Sequence, residues 1–94
     1  MERKKWSEKI EYQGEEKNGK REGFGIAFYV SGDWFEGEFK DDNRNGKGVY
    51  HWASGGRYEG IYKENDKHKG IYYYKNGNKY EGYWKDDKKD GNGI

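Results

Sequence analysis

The sequence contains no cysteine and no proline, and it also lacks leucine. Without cysteine the chain cannot form a disulfide framework, a thiolate nucleophile or a cysteine-bound zinc site. No apolar run approaches the roughly 18 residues that a membrane-spanning helix needs, and the first residues lack the apolar core of a signal peptide. Neither positive nor negative charge is in large excess, since 19 Lys and Arg nearly balance 18 Asp and Glu and leave a net charge of +1. These absences predict an intracellular, cytoplasmic protein, with attachment to the cytoskeleton or to a membrane left open.

Aromatic residues and glycine are abundant instead. The 94 residues, enough for one small domain, include ten Tyr, four Trp and 16 Gly. Charged residues make up 39% of the chain and the mean hydropathy is −1.61, values typical of disorder, but disordered chains are poor in aromatic residues. The composition therefore favours strands and turns whose apolar area is carried by aromatic rings.

An internal repeat runs along most of the chain. An aromatic residue, a Glu or Gln and a glycine recur at spacings of 23, 23 and 22 residues: Tyr12-Gln13-Gly14, Phe35-Glu36-Gly37, Tyr58-Glu59-Gly60 and Tyr80-Glu81-Gly82. A glycine with a β-branched residue follows in each unit: Gly25-Ile26, Gly48-Val49, Gly70-Ile71 and Gly93-Ile94. A further glycine closes each full unit: Gly32, Gly55 and Gly77. One unit is shorter by a residue between Lys63 and Gly70. We expect the deletion in the turn, because a deletion inside a strand would slip its register.

Residues alternate with a period of two inside each unit, so each unit is predicted to form two short strands. Polar stretches such as Asp41–Gly46 separate the strands and are typical of turns. The predicted fold is all-β, a single elongated antiparallel meander of β-hairpins with one hairpin per unit of about 23 residues. Glycines leave room for rings that should stack in three rows along one face. The rows are Phe35, Tyr58 and Tyr80; Phe39, Tyr62 and Trp84; and Tyr29, Trp52 and Tyr74.

The pattern Y-E-G-x-[FYW]-K, followed by G-x-G-[VI]-Y and a closing glycine turn, resembles the MORN repeat. The resemblance covers residues 12–94 as four units: 12–34, 35–57, 58–79 and a truncated 80–94. Residues 1–11 are expected to form an N-terminal half-unit or cap, because Trp6 lies six residues before Tyr12, the spacing found in later units. The resemblance implies a non-catalytic interaction or scaffold module, as in cytoskeletal, ciliary and membrane-junction proteins. The family's name, membrane occupation and recognition nexus, implies binding to acidic phospholipids.

The residue types that catalysis or cofactor binding would need are not arranged for it. His51 and His68 occupy non-equivalent unit positions, which argues against a two-histidine metal site. Asp41–Gly46 resembles the start of an EF-hand loop, but its twelfth position is Trp52 where a bidentate glutamate is required. The glutamates that recur beside the aromatic residues are expected to be structural. The sequence therefore predicts no catalytic residue, no cofactor and no metal.

Two surfaces are predicted to bind partners. The first is an aromatic face that would hold a protein, since Tyr and Trp supply rigid contact area at low entropic cost. Its residues are Phe35, Phe39, Trp52, Tyr58, Tyr62, Tyr74, Tyr80 and Trp84. Whether these rings are interface or core stays open. The second is a basic turn edge for weak, salt-sensitive attachment to an anionic membrane surface. Its residues are Lys20, Arg21, Lys40, Arg44, Lys47, Lys67 and Lys69.

Open strand edges offer a third kind of contact, because a sheet edge can accept a partner strand. Ile94 lies where a second strand would begin, so we expect self-association through the C-terminal strand edge, with a frayed end as the alternative. Stacking of single-stranded nucleic acid on the rings is disfavoured, because that needs a continuous positive groove and the net charge is only +1.

Overall fold

The computed structural model describes residues 2–85 and 88–90, with the side chains of residues 2–84. Its strands are β1 (Lys4–Ser7), β2 (Ile10–Lys17), β3 (Lys20–Tyr29), β4 (Trp34–Lys40), β5 (Asn43–His51), β6 (Arg57–Lys63), β7 (Asp66–Tyr73), β8 (Lys79–Lys85) and β9 (Lys88–Asp90). In this part of the chain they form one antiparallel sheet in sequence order. The predicted all-β meander is confirmed. No helix in the described residues is long and apolar enough to cross a bilayer.

The sheet is longer across its strands than along them. Strands in a sheet lie about 4.8 Å apart, so nine of them span about 38 Å. This agrees with the largest extent of the molecule, 39 Å, against 24 and 19 Å in the other directions. Each hairpin therefore adds a fixed increment to the long axis.

Two-residue turns close the hairpins. Both central residues are left-handed in Asn18–Gly19 (φ 53° and 76°), Asp41–Asp42 (50° and 69°) and Glu64–Asn65 (49° and 74°). This is the signature of type I′ turns, whose twist matches that of the flanking strands and which Asn, Asp and Gly tolerate best. The turn predicted over Asp41–Gly46 is thus too long, because β5 already begins at Asn43.

The one-residue deletion of the third unit lies in a bulge, not in the turn as expected. In β5 three residues, 45–47, lie opposite Glu38 alone. In β7 a single extra residue, His68, lies between the pairs Tyr62–Lys67 and Ile61–Lys69. A bulge already contains unpaired residues, so losing one shortens it without moving the register on either side.

The connections between hairpins close on the predicted glycines. Gly32, Gly55 and Gly77 have φ values of 96°, 112° and 95°. Each donates its N–H to the carbonyl oxygen three residues earlier, at 2.9 to 3.0 Å. Glycine adopts this conformation without steric cost, which explains why it recurs here in each unit.

A row of paired glycines crosses the sheet from β2 to β8. Its members are Gly14, Gly25, Gly37, Gly48, Gly60, Gly70 and Gly82. A Cβ atom at Gly48 would overlap the ring of Phe35, and one at Gly70 would lie 2.9 Å from Cε1 of Tyr58. The rings therefore lie directly against bare backbone, and the predicted role of the glycines is confirmed.

The rings on this face, which we call the inner face, do not stack within separate rows as predicted. They form a continuous zigzag: Trp6, Tyr12, Phe39, Phe35, Tyr62, Tyr58, Trp84 and Tyr80. Six of its seven contacts are edge-to-face, with centroids 4.8 to 5.4 Å apart. This geometry places the positive ring edge on the negative ring face. A second chain, Tyr29, Tyr50, Trp52, Tyr72 and Tyr74, runs beside it.

The tyrosine hydroxyls on this face keep polar partners while their rings are buried. Tyr12 is 1% exposed and its hydroxyl donates to the carbonyl oxygen of Glu15 at 2.7 Å. Burial raises the pKa of Tyr12 to about 12, against the opposing charge of Arg21. Burial, and then a 2.9 Å hydrogen bond to Asp33, raise the pKa of Tyr50 as well. Both side chains are held in the neutral form.

Replacing Gly48 with alanine should destabilise the protein by roughly 1–3 kcal/mol, because the added methyl group displaces the Phe35 ring from the backbone. Urea unfolding followed by circular dichroism measures this loss. Phe35→Leu removes the distal ring atoms, so G48A should cost less in that background. Equal costs in both backgrounds would contradict the proposed ring contact.

Stability should decline in alkali as tyrosines ionise. Unfolded tyrosine titrates near 10.0, whereas Tyr12 in the sheet titrates near 12. The stabilisation is therefore fully present below pH 10 and is lost as the pH rises towards 12. Unfolding free energies measured across this range should fall less steeply for Tyr12→Phe than for the wild type. An unchanged slope would show that Tyr12 contributes nothing to it.

Candidate interaction surface

The aromatic face predicted to bind a partner is the hydrophobic core of the sheet. Of its eight residues, five are at most 5% exposed: Phe35, Phe39, Tyr58, Tyr62 and Trp84. The other three, Trp52, Tyr74 and Tyr80, are half-buried within the ring chains. A one-layer sheet has no second layer to pack against, so these rings pack on one another and on their own backbone. The five buried rings offer no contact area to a partner.

Arg21 is also part of the inner face. It is 8% exposed, and its Nε donates to Oδ1 of Asp42 at 2.7 Å while Nη2 donates to the backbone oxygen of Asp42 at 2.8 Å. Its guanidinium lies 4.8 Å from the ring centroid of Phe39. A buried cation needs such partners, because an unpaired charge in this environment is costly.

A similar contact recurs one unit later, although Nε of Arg44, unlike that of Arg21, is buried without a hydrogen-bond partner. The backbone N–H and Nη2 of Arg44 donate to Oδ1 and the backbone oxygen of Asn65, at 2.8 and 3.1 Å, and its guanidinium lies 5.1 Å from the ring of Tyr62. Asp42 and Asn65 return the bond by donating their backbone N–H to the carbonyl oxygens of Arg21 and Arg44. We call this arrangement the turn clasp, since it ties the turn at Asn18–Gly19 to that at Asp41–Asp42, and the latter to the turn at Glu64–Asn65.

The seven residues predicted as a basic edge do not form one surface. Arg21 and Arg44 are held in turn clasps, and Lys67 is half-buried with its Nζ 5.8 Å from the ring of Trp52. Lys47 and Lys69 pair with Ile61 and lie on the opposite face of the sheet. Lys20 and Lys40 remain exposed at the hairpin ends. Alternation along the strands has divided the cations between two faces and an edge.

We call the second face of the sheet the outer face. One row of paired residues crosses it from β2 to β8: Gln13, Ile26, Glu36, Val49, Glu59, Ile71 and Glu81. Polar and β-branched side chains thus alternate strand by strand. This row is the outer-face counterpart of the glycine row, displaced from it by one residue.

A shallow groove of about 500 Å³ lies over the middle of this row. Val49 and Ile61 line it with Phe24, whose side chain is 55% exposed, and the carboxylates of Glu36 and Glu59 border the same space. The sequence analysis missed these apolar residues as a site. In the sequence, the positions of these residues alternate with those of the inner-face rings. That alternation could have identified them as an outer-face site.

Aromatic and charged side chains form a wall beside the groove. Trp34 and His51 stack with centroids 3.7 Å apart, and Arg57 lies 3.9 Å from the ring of Tyr73. Nε2 of His51 is buried without a hydrogen-bond partner and lies 3.9 Å from Oε1 of Glu36. No group of three or more His, Asp or Glu side chains that could hold a metal ion occurs among the residues described.

Both ends of the sheet are short strands. β1 has four residues and an irregular register between Lys5 and Ser7, and β9 has three residues. Residues 91–94, which include the glycine and isoleucine expected to continue the last unit, lie outside the described residues. Self-association through the C-terminal edge therefore stays a prediction.

A family model described as MORN repeat matches four consecutive segments of the chain, residues 12–34, 35–57, 58–79 and 80–94. Together the segments extend from β2 to the end of the sequence. No curated protein matches the chain significantly.

The turn clasp should be a structural device. Asp42→Gly should cost about 1–3 kcal/mol, because it removes the carboxylate partner of buried Arg21 without straining the left-handed turn. Asp42→Asn is the matched control, since it keeps an oxygen acceptor and tolerates the left-handed turn. Urea unfolding compares the three proteins. Equal losses for both variants would show that charge, not the hydrogen bonds, stabilises the clasp.

Proposed function

Because the chain belongs to the MORN repeat family, whose members are non-enzymatic repeat modules of the binding and scaffold type, we propose that it binds a protein partner on its outer face and performs no catalysis. The inner face is already occupied by the core rings, so the partner surface that the sequence analysis assigned to them moves to the other side of the sheet. The strand edges add a second, smaller contact.

The groove at Val49 carries this proposal. Phe24 and Ile61 are apolar side chains on a surface that no part of the described chain covers, and carboxylates rim them. An accessible apolar patch with a polar border is typical of protein contact sites. The rigid antiparallel backbone beneath the groove keeps the patch preorganised, which lowers the entropic cost of binding.

Strand edges support association of a different kind. β1 and β9 each have only one neighbour in the described sheet, so their outward backbone groups can pair with a further strand. A second copy of the chain is one such partner. Light scattering over a dilution series, at low and high salt, measures this contact without involving the groove.

Binding of acidic phospholipids has less support. Of the predicted basic edge only Lys20 and Lys40 are exposed together at the hairpin ends, and each effective cation contributes about 1 kcal/mol at an anionic surface. Vesicles containing phosphatidylserine test this alternative. Strong binding that salt abolishes, and that is lost with Lys20→Glu and Lys40→Glu, would favour it over the protein partner.

A lysine placed in the groove should abolish binding of the protein partner. Val49→Lys puts a charge between Phe24 and Ile61, whereas Val30→Lys puts the same charge at a loop position that is 77% exposed. Proximity labelling in cells should recover a common set of proteins with the wild type and V30K, and V49K should lose it. Circular dichroism establishes that both variants fold. Identical sets from all three proteins would contradict the proposal.

A further inference from the structure

The glutamates of the outer face form an evenly spaced ladder. Glu36, Glu59 and Glu81 lie on alternate strands, β4, β6 and β8, with Val49 and Ile71 paired between them. Two strand intervals separate successive carboxylates, which gives a repeat of about 9.6 Å along the long axis. A ligand that contacts the whole ladder must run across the strands with the same repeat.

The carboxylates of this glutamate ladder are accessible to an incoming cation. Glu36 and Glu59 keep 39% and 43% of their side-chain surface exposed, and Glu81 is exposed. Their contacts within the chain are long, 3.9 Å to His51 and 3.6 Å to Arg57. The Glu59–Arg57 pair is exposed on both sides and therefore weak, so a partner cation can replace or join it at little cost.

The repeat of the ladder selects one kind of peptide backbone. A polyproline II helix has three residues per turn and a rise of about 3.1 Å, so side chains on one ridge recur every 9.3 Å or so. An α-helix repeats its face every seven residues at about 10.5 Å, and a strand every two residues at about 6.7 Å. The polyproline II repeat agrees best with the ladder.

We infer that the outer face docks a polyproline II segment of another protein, with Arg or Lys at every third position seated on Glu36, Glu59 and Glu81. This inference rests on the proposed function of the outer face. Such a segment suits the middle of a sheet, because its solvated backbone needs no strand edge for hydrogen bonds. Most of the described residues already form strands of the sheet, so the occupant is a segment of another protein and not a further copy of them.

A second row of side chains on the bound segment would lie on the side of the groove that is nearer the hairpin turns. Phe24 and Ile61 provide apolar surface there, and proline rings suit such a wall. Lys47 and Lys69 belong to the same row as Ile61 and are exposed. Glu38, which pairs with Phe24, is exposed in the same row, so this row carries charges of both signs, whereas the glutamate ladder carries carboxylates alone.

Two peptides of identical composition test the repeat. One consists of three Arg-Pro-Pro triplets, and the other has its three arginines contiguous between prolines. Fluorescence anisotropy at low and at physiological salt should show the triplet peptide binding roughly tenfold tighter. Equal affinities, or no binding of either peptide, would overturn the inference, because charge attraction alone does not depend on spacing.

Single charge removals locate the site. Glu59→Gln should weaken the triplet peptide about threefold, the factor expected of one exposed ion pair, and leave the contiguous peptide nearly unchanged. The matched control is Glu64→Gln, which makes the same change at an exposed turn residue outside the ladder. Equal weakening by E59Q and E64Q would overturn the placement on the outer face.

The peptide and labelling experiments together distinguish a failure of the polyproline II inference from a failure of the proposed function. If both peptides fail but V49K loses the labelled proteins, the outer face binds protein and only the polyproline II inference is wrong. If V49K loses nothing and the peptides also fail, the proposed function is wrong too.

Discussion

The packing of aromatic rings against bare backbone is the interaction on which the rest of the structure depends. The ring of Phe35 lies over Gly37 and Gly48, on its own strand and on the next, and Tyr58 repeats the arrangement over Gly60 and Gly70. A sheet without a second layer has no other apolar surface to cover its rings. Because a methyl group at these glycines would lift each ring, the glycine row and the aromatic zigzag form one structural device.

This packing decides which face is free for function. Once the rings are buried, the cations beside them lose contact with water and must find partners within the chain, as Arg21 does with Asp42. The turn clasps connect successive turns of the described sheet. Among the described residues, the outer face has isolated ring pairs in place of a continuous zigzag, and its carboxylates and β-branched side chains stay accessible. Under the proposed function, binding and folding would depend on opposite sides of the same strands.

The repeat alone predicted the meander and the role of its glycines, because both follow from residues that recur at fixed spacing. It did not predict which face is packed. Period-two alternation is symmetric between the faces of a sheet, and only the fit of Phe35 over Gly48 distinguishes them. The deletion was misplaced for a related reason. The bulge at His68 has no composition of its own, whereas a turn is recognised by polar residues that here continue into the strands.

Recognition by such an array depends on spacing more than on the strength of any one contact. Each of the last three units presents one accessible carboxylate in the ladder, and an exposed ion pair contributes only about 0.2–1 kcal/mol. Affinity therefore accumulates along the array, as it does for linked binding sites, provided that successive contacts stay in register. A helix would drift by about 1 Å at each step along the ladder, whereas a polyproline II segment drifts by about 0.3 Å. The glycine row makes a regular interval between strands possible. That interval fixes the carboxylate spacing that a partner must match.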